Sequence, residues 1–490
     1  MAGPTTSLNI DFETHPSQYK HVRIDVDGPI ARVSLNIQEE QGLRDGYVLK
    51  LNSYDLGVDI ELADAVQRMR FEHPEVACVI ITSALEGIFC SGANIFMLGS
   101  SSHAFKVNFC KFTNETRLYI EDATAHSGQT WIAALNGVAS GGGYELPLAC
   151  EEIYLVDDRR SAVALPEVPF LGVLPGTGGL TRVVDKRMVR RDLADVFSTL
   201  AEGIKGKKAV QWNLVDGVFP TSQFDQKVAE RAAEIAGAGH PERKGIDLTP
   251  LNPEITEEAI TYRHVQLRFG PQERVAQLDF TLPDALPEVP KDARDLGADW
   301  FPLRGWREFD DALLRLRVNH PDVGVVTVRV LGDPAVAQKH DEQLLARQDD
   351  WFVREVTGNI KRVLKRMDVT AKTFFALIEE GSAFVGSFFE ITLAADRSYL
   401  FEEEGVAIGL TPMNFGVLPM GNGLTGLHTR FLADPSHAEG LRERIGELME
   451  ADDAMEAGLV TEAYDDIDWE DEIRLVVEER ASLSPDALTG

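Results

Sequence analysis

Between residues 25 and 218, apolar runs of five or six residues alternate with stretches whose apolar positions recur every three to four residues. The first kind fits a strand buried on both faces and the second an amphipathic helix. On that reading 30–35, 78–82 and 130–135 are strands, while 57–71 and the short stretch from 142 to 149 are helices. Strands that alternate with covering helices define an α/β sheet. The stretch AVQWNLVDGVFP (209–220) closes this unit with a short helix and a strand.

The same order then returns. Residues 309–317 repeat the helical spacing of 62–70, and HPDVGVVTV (320–328) echoes HPEVACVII (73–81). A glycine-containing segment at 375–390, a Pro-Met-Gly loop at 414–425 and AMEAGLVTEA (454–463) follow in the order of their counterparts. The chain therefore reads as an internal duplication. Between the copies, 236–300 is rich in proline, glycine and charge, and within it 260–270 and 275–282 have the look of a strand pair opening the second copy. The expected division is a first domain at 1–235, a linker with strands at 236–300 and a second, degenerate domain at 301–490.

Composition narrows the possibilities. At 490 residues, 44% hydrophobic and 26% charged, the chain is globular and long enough for several cores. A formal charge of −31 argues against nucleic acid or an anionic membrane as partner, since a polyanion would be repelled by most of the surface. There is no apolar run of about 18 residues and no basic-then-apolar leader, which leads to the expectation of a soluble, cytoplasmic protein. Four scattered cysteines without a CxxC are expected to be free thiols, and no metal, nucleotide or redox cofactor motif is present.

The candidate chemistry lies in three stretches: IFCSGANIFML (88–98), AALNGVASGGGYEL (133–146) and LPEVPFLGVLPGTGGLTR (165–182). Each of the first two takes a strand into a small-residue loop, and glycines 141–143 stand where a helix begins. Backbone N–H groups there are open to an anionic oxygen, and two acids, Glu145 and Glu167, stand beside them. Glycine-rich turns are common singly; three such stretches and two acids, five elements in this order, are not.

In order and spacing, these stretches resemble the crotonase (enoyl-CoA hydratase) superfamily. The resemblance implies a crotonase-like ββα-superhelix in two tandem copies, and an acyl-CoA thioester as substrate with no further cofactor. It also implies an oxyanion hole made by the amides of Ala93 and Gly142, and catalytic carboxylates at Glu145 and Glu167. Lys50 and Leu51 match the family segment that borders CoA, and Ser91, Ile95 and Gly141 belong to the same substrate-binding loops. Cys110, in a helical run that walls the acyl pocket in this superfamily, is a third catalytic candidate. His103 and His126 are given no role.

The two-copy layout, with 42–57, 101–115 and 350–355, resembles a ring-opening branch of the superfamily. That resemblance implies cleavage of an epoxidised dihydrobenzoyl-CoA to an open-chain CoA semialdehyde and formate. A hydratase or isomerase, and a non-catalytic acyl-CoA binder, are the alternatives. The superfamily's self-association suggests a homodimer. In the second copy Ser387-Phe388 replaces Gly142-Gly143 and Pro412-Met413-Asn414 carries no acid, so it is expected to be inert, with Phe388 and Phe389 crowding its pocket and Glu390 a remnant. The C-terminus is expected to be shorter than is usual for the ring-opening branch.

Overall fold

The computed structural model describes residues 9–270, 272, 274–485 and 487, and the expectation about the C-terminal end lies largely outside them. The chain divides into two compact units, 13–247 and 248–490 with the segment up to 12. Among the described residues no helix is long and apolar enough to cross a membrane.

In unit 13–247 the main sheet has the strand order β1-β2-β3-β5-β7-β10, formed by Val22–Asp27, Ile30–Leu35, Cys78–Ser83, Thr130–Leu135, Glu152–Asp157 and Gly217–Pro220. β1 and β2 are antiparallel and every later pairing is parallel. All of β3 is buried, which is why it opens with a continuous apolar run, Cys78 to Ile81, and not an alternation. A second sheet, β4-β6-β8-β9, is built from Gly87–Cys90, Gly137–Ser140, Ala162–Ala164 and Ile204–Lys205. Three times a strand of the large sheet leads into a strand of the small one and then into a helix. β3 and β4 lead to α2 (Ile95–Gly99) and α3 (His103–Asp122), β5 and β6 to α4 (Gly142–Leu148), and β7 and β8 to α5 (Glu167–Leu171). This is the ββα-superhelix expected from the sequence. Ahead of it, α1 (Leu56–Phe71) is capped by Asp55, whose carboxylate accepts from the Val58 amide.

The second unit repeats the main sheet. Its strands β13 (Val265–Phe269), β14 (Val275–Thr281), β15 (Val325–Leu331), β16 (Thr373–Ile378), β17 (Arg397–Phe401) and β20 (Glu462–Tyr464) lie in this order. Again the first pair is antiparallel and the rest parallel, so each strand has a counterpart in β1-β2-β3-β5-β7-β10. Two short strands, β11 (Glu254–Ile255) and β12 (Ala259–Thr261), extend its edge. The small sheet has decayed: what remains is the pair β18 (Ile408–Gly409) and β19 (Leu448–Met449) with isolated bridges such as Val385 to Gly409.

Candidate active site

The loop after β4 and the start of α4 are pressed together. Tyr54 forms a parallel bridge to Ala93, its N–H donating to Gly92 O (3.0 Å) and its carbonyl accepting from Asn94 N (2.8 Å). A parallel bridge uses the groups on either side of the bridged residue, so the N–H of Ala93 faces away from Tyr54. Asn94 caps α2 through the Phe96 and Met97 amides, and Cys90 donates its thiol to Asn52 O (2.9 Å). A Cβ on Gly92 would lie 2.8 Å from Ser140 O and 3.0 Å from Gly142 N, which places the Ala93 loop directly against the glycine triplet.

Each glycine of the triplet is required for a different reason. Gly141 has φ +57°, its N–H donates to Ala164 O (2.9 Å), and a Cβ there would be 2.9 Å from Glu167 Oε1. At Gly142 a Cβ would fall 2.0 Å from the Tyr54 hydroxyl, and at Gly143 2.2 Å from Cys90 O. Gly142 is the first residue of α4, where an amide has no partner within the helix. Its N–H and that of Ala93 are the pair the sequence pointed to; the N–H of Gly141 is committed to β8.

Glu145, one turn into α4, is buried. Its carboxylate accepts from Thr177 N (3.1 Å), Gly179 N (2.8 Å) and the Thr177 hydroxyl. The Thr177 loop is braced in turn by Arg182, which donates to Thr177 O (3.1 Å) and Asn114 Oδ1 (3.0 Å) and pairs with Glu121. Glu167 opens α5. Burial, with the Glu145 charge second, pushes its carboxyl up to about 7, and its Oε2 is buried without a hydrogen-bond partner. Cys110 on α3 sets its Sγ 3.3 Å from where a Gly176 Cβ would be. Burial first, then the charges of Glu145 and Asp59, push that thiol up to about 11, so it is protonated at neutral pH.

The structure thus gathers Ala93, Gly141, Gly142, Glu145, Glu167 and Cys110 around one place. Lys50, Leu51, Ser91 and Ile95 stand at its rim. Leu51 and Ile95 are 54% and 53% exposed, Lys50 is exposed, and Ser91 ties the strip together by donating from its N–H to Leu51 O (3.2 Å). Leu51 has φ +57°, an unfavourable conformation for a branched-γ residue that holds its side chain out of the core.

Three features escaped the sequence reading. Thr177 was within reach, as the one hydroxyl in the Gly-Thr-Gly-Gly turn. Tyr54 and the buried Asp59–Arg117 pair (2.9 Å) behind it gave no signal, because an isolated Tyr in an apolar pattern and charges on a helix look like core and surface.

The second copy keeps the frame and fills the hole. Gly386 repeats the turn of Gly141 with φ +59°, and a Cβ on Gly426 would meet Glu390 as one on Gly179 would meet Glu145. Where the first copy has the Ala93 loop, the second has the helix Pro334–Leu345, and its Asp341 lies against Ser387. The Asp341 carboxylate accepts from Ser387 N (2.9 Å), Ser387 Oγ (2.5 Å) and Thr411 Oγ1 (2.6 Å). Ser387 N is the counterpart of Gly142 N. The crowding expected from Phe388 is not what closes the pocket: that ring is 5.3 Å from Phe280 and 5.5 Å from Trp306, within the core. Glu390 is buried, accepts from Asn414 Nδ2 (2.7 Å) and is pushed up to about 8 by burial.

The chain is similar to known proteins. The enoyl-CoA hydratase/isomerase family profile matches residues 49–246. A protein of Aromatoleum evansii named benzoyl-CoA-dihydrodiol lyase is 51% identical over 488 residues, which is 98% of this chain and 88% of that one. Among solved structures, an enoyl-CoA hydratase of Geobacillus kaustophilus HTA426 is 32% identical, with 45% of this chain and 75% of that one covered, at a TM-score of 0.39. One from Bacillus anthracis is 27% identical, with 44% and 77% covered, at a TM-score of 0.38.

Proposed function

Since the chain belongs to the benzoyl-CoA-dihydrodiol lyase family, with an enoyl-CoA hydratase/isomerase domain in its first half, we propose that it is a ring-opening lyase. Its substrate is 2,3-epoxy-2,3-dihydrobenzoyl-CoA and its products are 3,4-didehydroadipyl-CoA semialdehyde and formate. Two water molecules enter and one ring carbon leaves as formate. The sum is redox-neutral, so the reaction calls for no electron acceptor. The dihydrodiol in the relative's name is the same ring with one water already added.

The observation that carries this reading is the pairing of two backbone donors with two carboxylates in unlike surroundings. Charge that develops on the thioester oxygen as the ring opens is met by the N–H groups of Ala93 and Gly142, a contribution of about 3 kcal/mol per donor. Glu145 is fixed by the donors from Thr177 and Gly179, so its role is to hold and orient water. Glu167 has one oxygen without a partner and is balanced near neutrality, so it takes a proton from the attacking water and returns it to the acyl-chain carbon that keeps the electron pair when the bond to the departing formate carbon breaks. The Cys110 thiol, protonated, is a hydrogen-bond donor in the wall of the acyl pocket and not a nucleophile. The CoA portion leaves across Lys50, Leu51, Ser91 and Ile95. A cytoplasmic place goes with a CoA-thioester substrate, and a homodimer with the superfamily's habit of self-association; sedimentation of the purified chain as a single-chain species would refute the dimer.

The test offers the purified chain both the epoxide and the dihydrodiol of benzoyl-CoA and measures formate and semialdehyde. Formate from the parent, and none from Glu145→Gln or Glu167→Gln, is expected. Hydration of crotonyl-CoA without formate from either ring substrate would replace the lyase with a hydratase.

A further inference from the structure

Tyr54 is 4% exposed, and its hydroxyl has no hydrogen-bond partner. A buried hydroxyl left unpaired is costly, and native proteins keep one only where something else supplies the partner. The backbone of Tyr54 is tied on both sides to the Ala93 loop, while its hydroxyl lies against Gly142, where a Cβ would be only 2.0 Å away. One side chain thus spans from the first oxyanion loop to the second. Its ring is held from behind by Phe109 at 5.9 Å and by the Arg117 guanidinium at 5.5 Å, and Arg117 is itself fixed by Asp59. The hydroxyl has been aimed and immobilised without being satisfied.

From this placement, and resting on the ring-opening reading above, we infer that the Tyr54 hydroxyl donates a hydrogen bond to the ring-bound oxygen of the substrate as the oxirane opens. With the thioester oxygen on the Ala93 and Gly142 amides, the oxirane oxygen is only a few bonds further along the acyl group, on the side where the hydroxyl adjoins Gly142. As the oxygen of a water molecule bonds to the oxirane carbon, the carbon–oxygen bond breaks and its electron pair passes to the ring oxygen; the tyrosine stabilises this alkoxide as a donor, and the proton given up by the attacking water neutralises it. Burial holds the phenol far above its usual range, so it remains protonated and does not act as a base. The glycine at 142 acquires a second reason: any side chain there would strike the donor.

Tyr54→Phe keeps the ring and removes only the oxygen. With the parent releasing formate, the variant is expected to lose about 100-fold in kcat. Its KM, and its affinity for benzoyl-CoA, which lacks the ring oxygen, should stay within about 3-fold, and its thermal midpoint should hold or rise because an unsatisfied group has gone. Undiminished kcat overturns the inference. So does a fall in the midpoint, which would mean that the hydroxyl is satisfied in the free protein by a structural water. A 10-fold or greater loss of benzoyl-CoA affinity would also overturn it, by moving the contact to the thioester oxygen. A parent that releases no formate removes the ring-opening reading itself, a result separate from any behaviour of the variant.

Discussion

Replacing Glu167 by Gln should make stability depend less on pH, by an amount the structure sets. The folded carboxyl titrates at about 7 where an unperturbed one titrates at 4.5, with burial the larger cause and Glu145 the second. Below pH 4.5 both folded and unfolded chains hold the proton, and Glu167 imposes no cost. As pH rises through the window from 4.5 to 7, the unfolded chain gives up its proton first, so the folded state loses ground until the site ionises as well. At about 1.4 kcal/mol per pH unit, that window amounts to at most about 3.5 kcal/mol, fully felt above pH 7. Gln is neutral throughout. Urea midpoints of parent and Glu167→Gln between pH 4.5 and 8 should therefore diverge, the variant gaining up to about 3.5 kcal/mol relative to the parent. Glu145→Gln, which leaves burial but removes the neighbouring charge, should narrow the parent's window without closing it. Parent and Glu167→Gln curves that run parallel across the range would refute the assignment of Glu167 as the group poised near neutrality.

Gly142→Ala drives a methyl into the Tyr54 hydroxyl, so a loss of about 1–3 kcal/mol is expected together with loss of turnover, and adding Tyr54→Phe should restore part of the stability but not the rate; chemical denaturation of the single and double variants reads this. Thr177→Val removes the hydroxyl donor to Glu145 while keeping the shape, and should cost about 1–3 kcal/mol and lower kcat more than it raises KM. Asp341→Ala leaves Ser387 N and two hydroxyls facing an empty space, and should lower stability by about 3 kcal/mol without creating a second active site, as measured by denaturation and by formate release. Cys110, its thiol raised to about 11, should alkylate with iodoacetamide at pH 8 roughly 100-fold more slowly than a free cysteine, and peptide mass spectrometry gives the rate.

What could be read in the sequence was whatever the backbone itself demands. Glycines 141–143 had to be visible, because two chain segments approach within the radius of a methyl group and no other residue fits. The strands 30–35 and 130–135 were visible for the same sort of reason, since a strand whose residues are mostly buried admits few polar residues. The duplication showed through these same constraints. Tyr54 did not, because what distinguishes it is a missing partner, and absence leaves no mark on a sequence. Asp341 was hidden differently: in Pro334–Leu345 it is one polar residue among several, and only the fold shows that it reaches 46 positions along the chain to Ser387. The crowding assigned to Phe388 failed because bulk was weighed without direction; the ring had a core to enter.

The Asp341 arrangement means that the second half of the chain answers its own donors from within. A carboxylate built into the same polypeptide is present at an effective concentration that no diffusing anion can match. The amide and hydroxyls that face Asp341 hold the helix Pro334–Leu345 in place, so in this copy the turn at Gly386 serves as architecture.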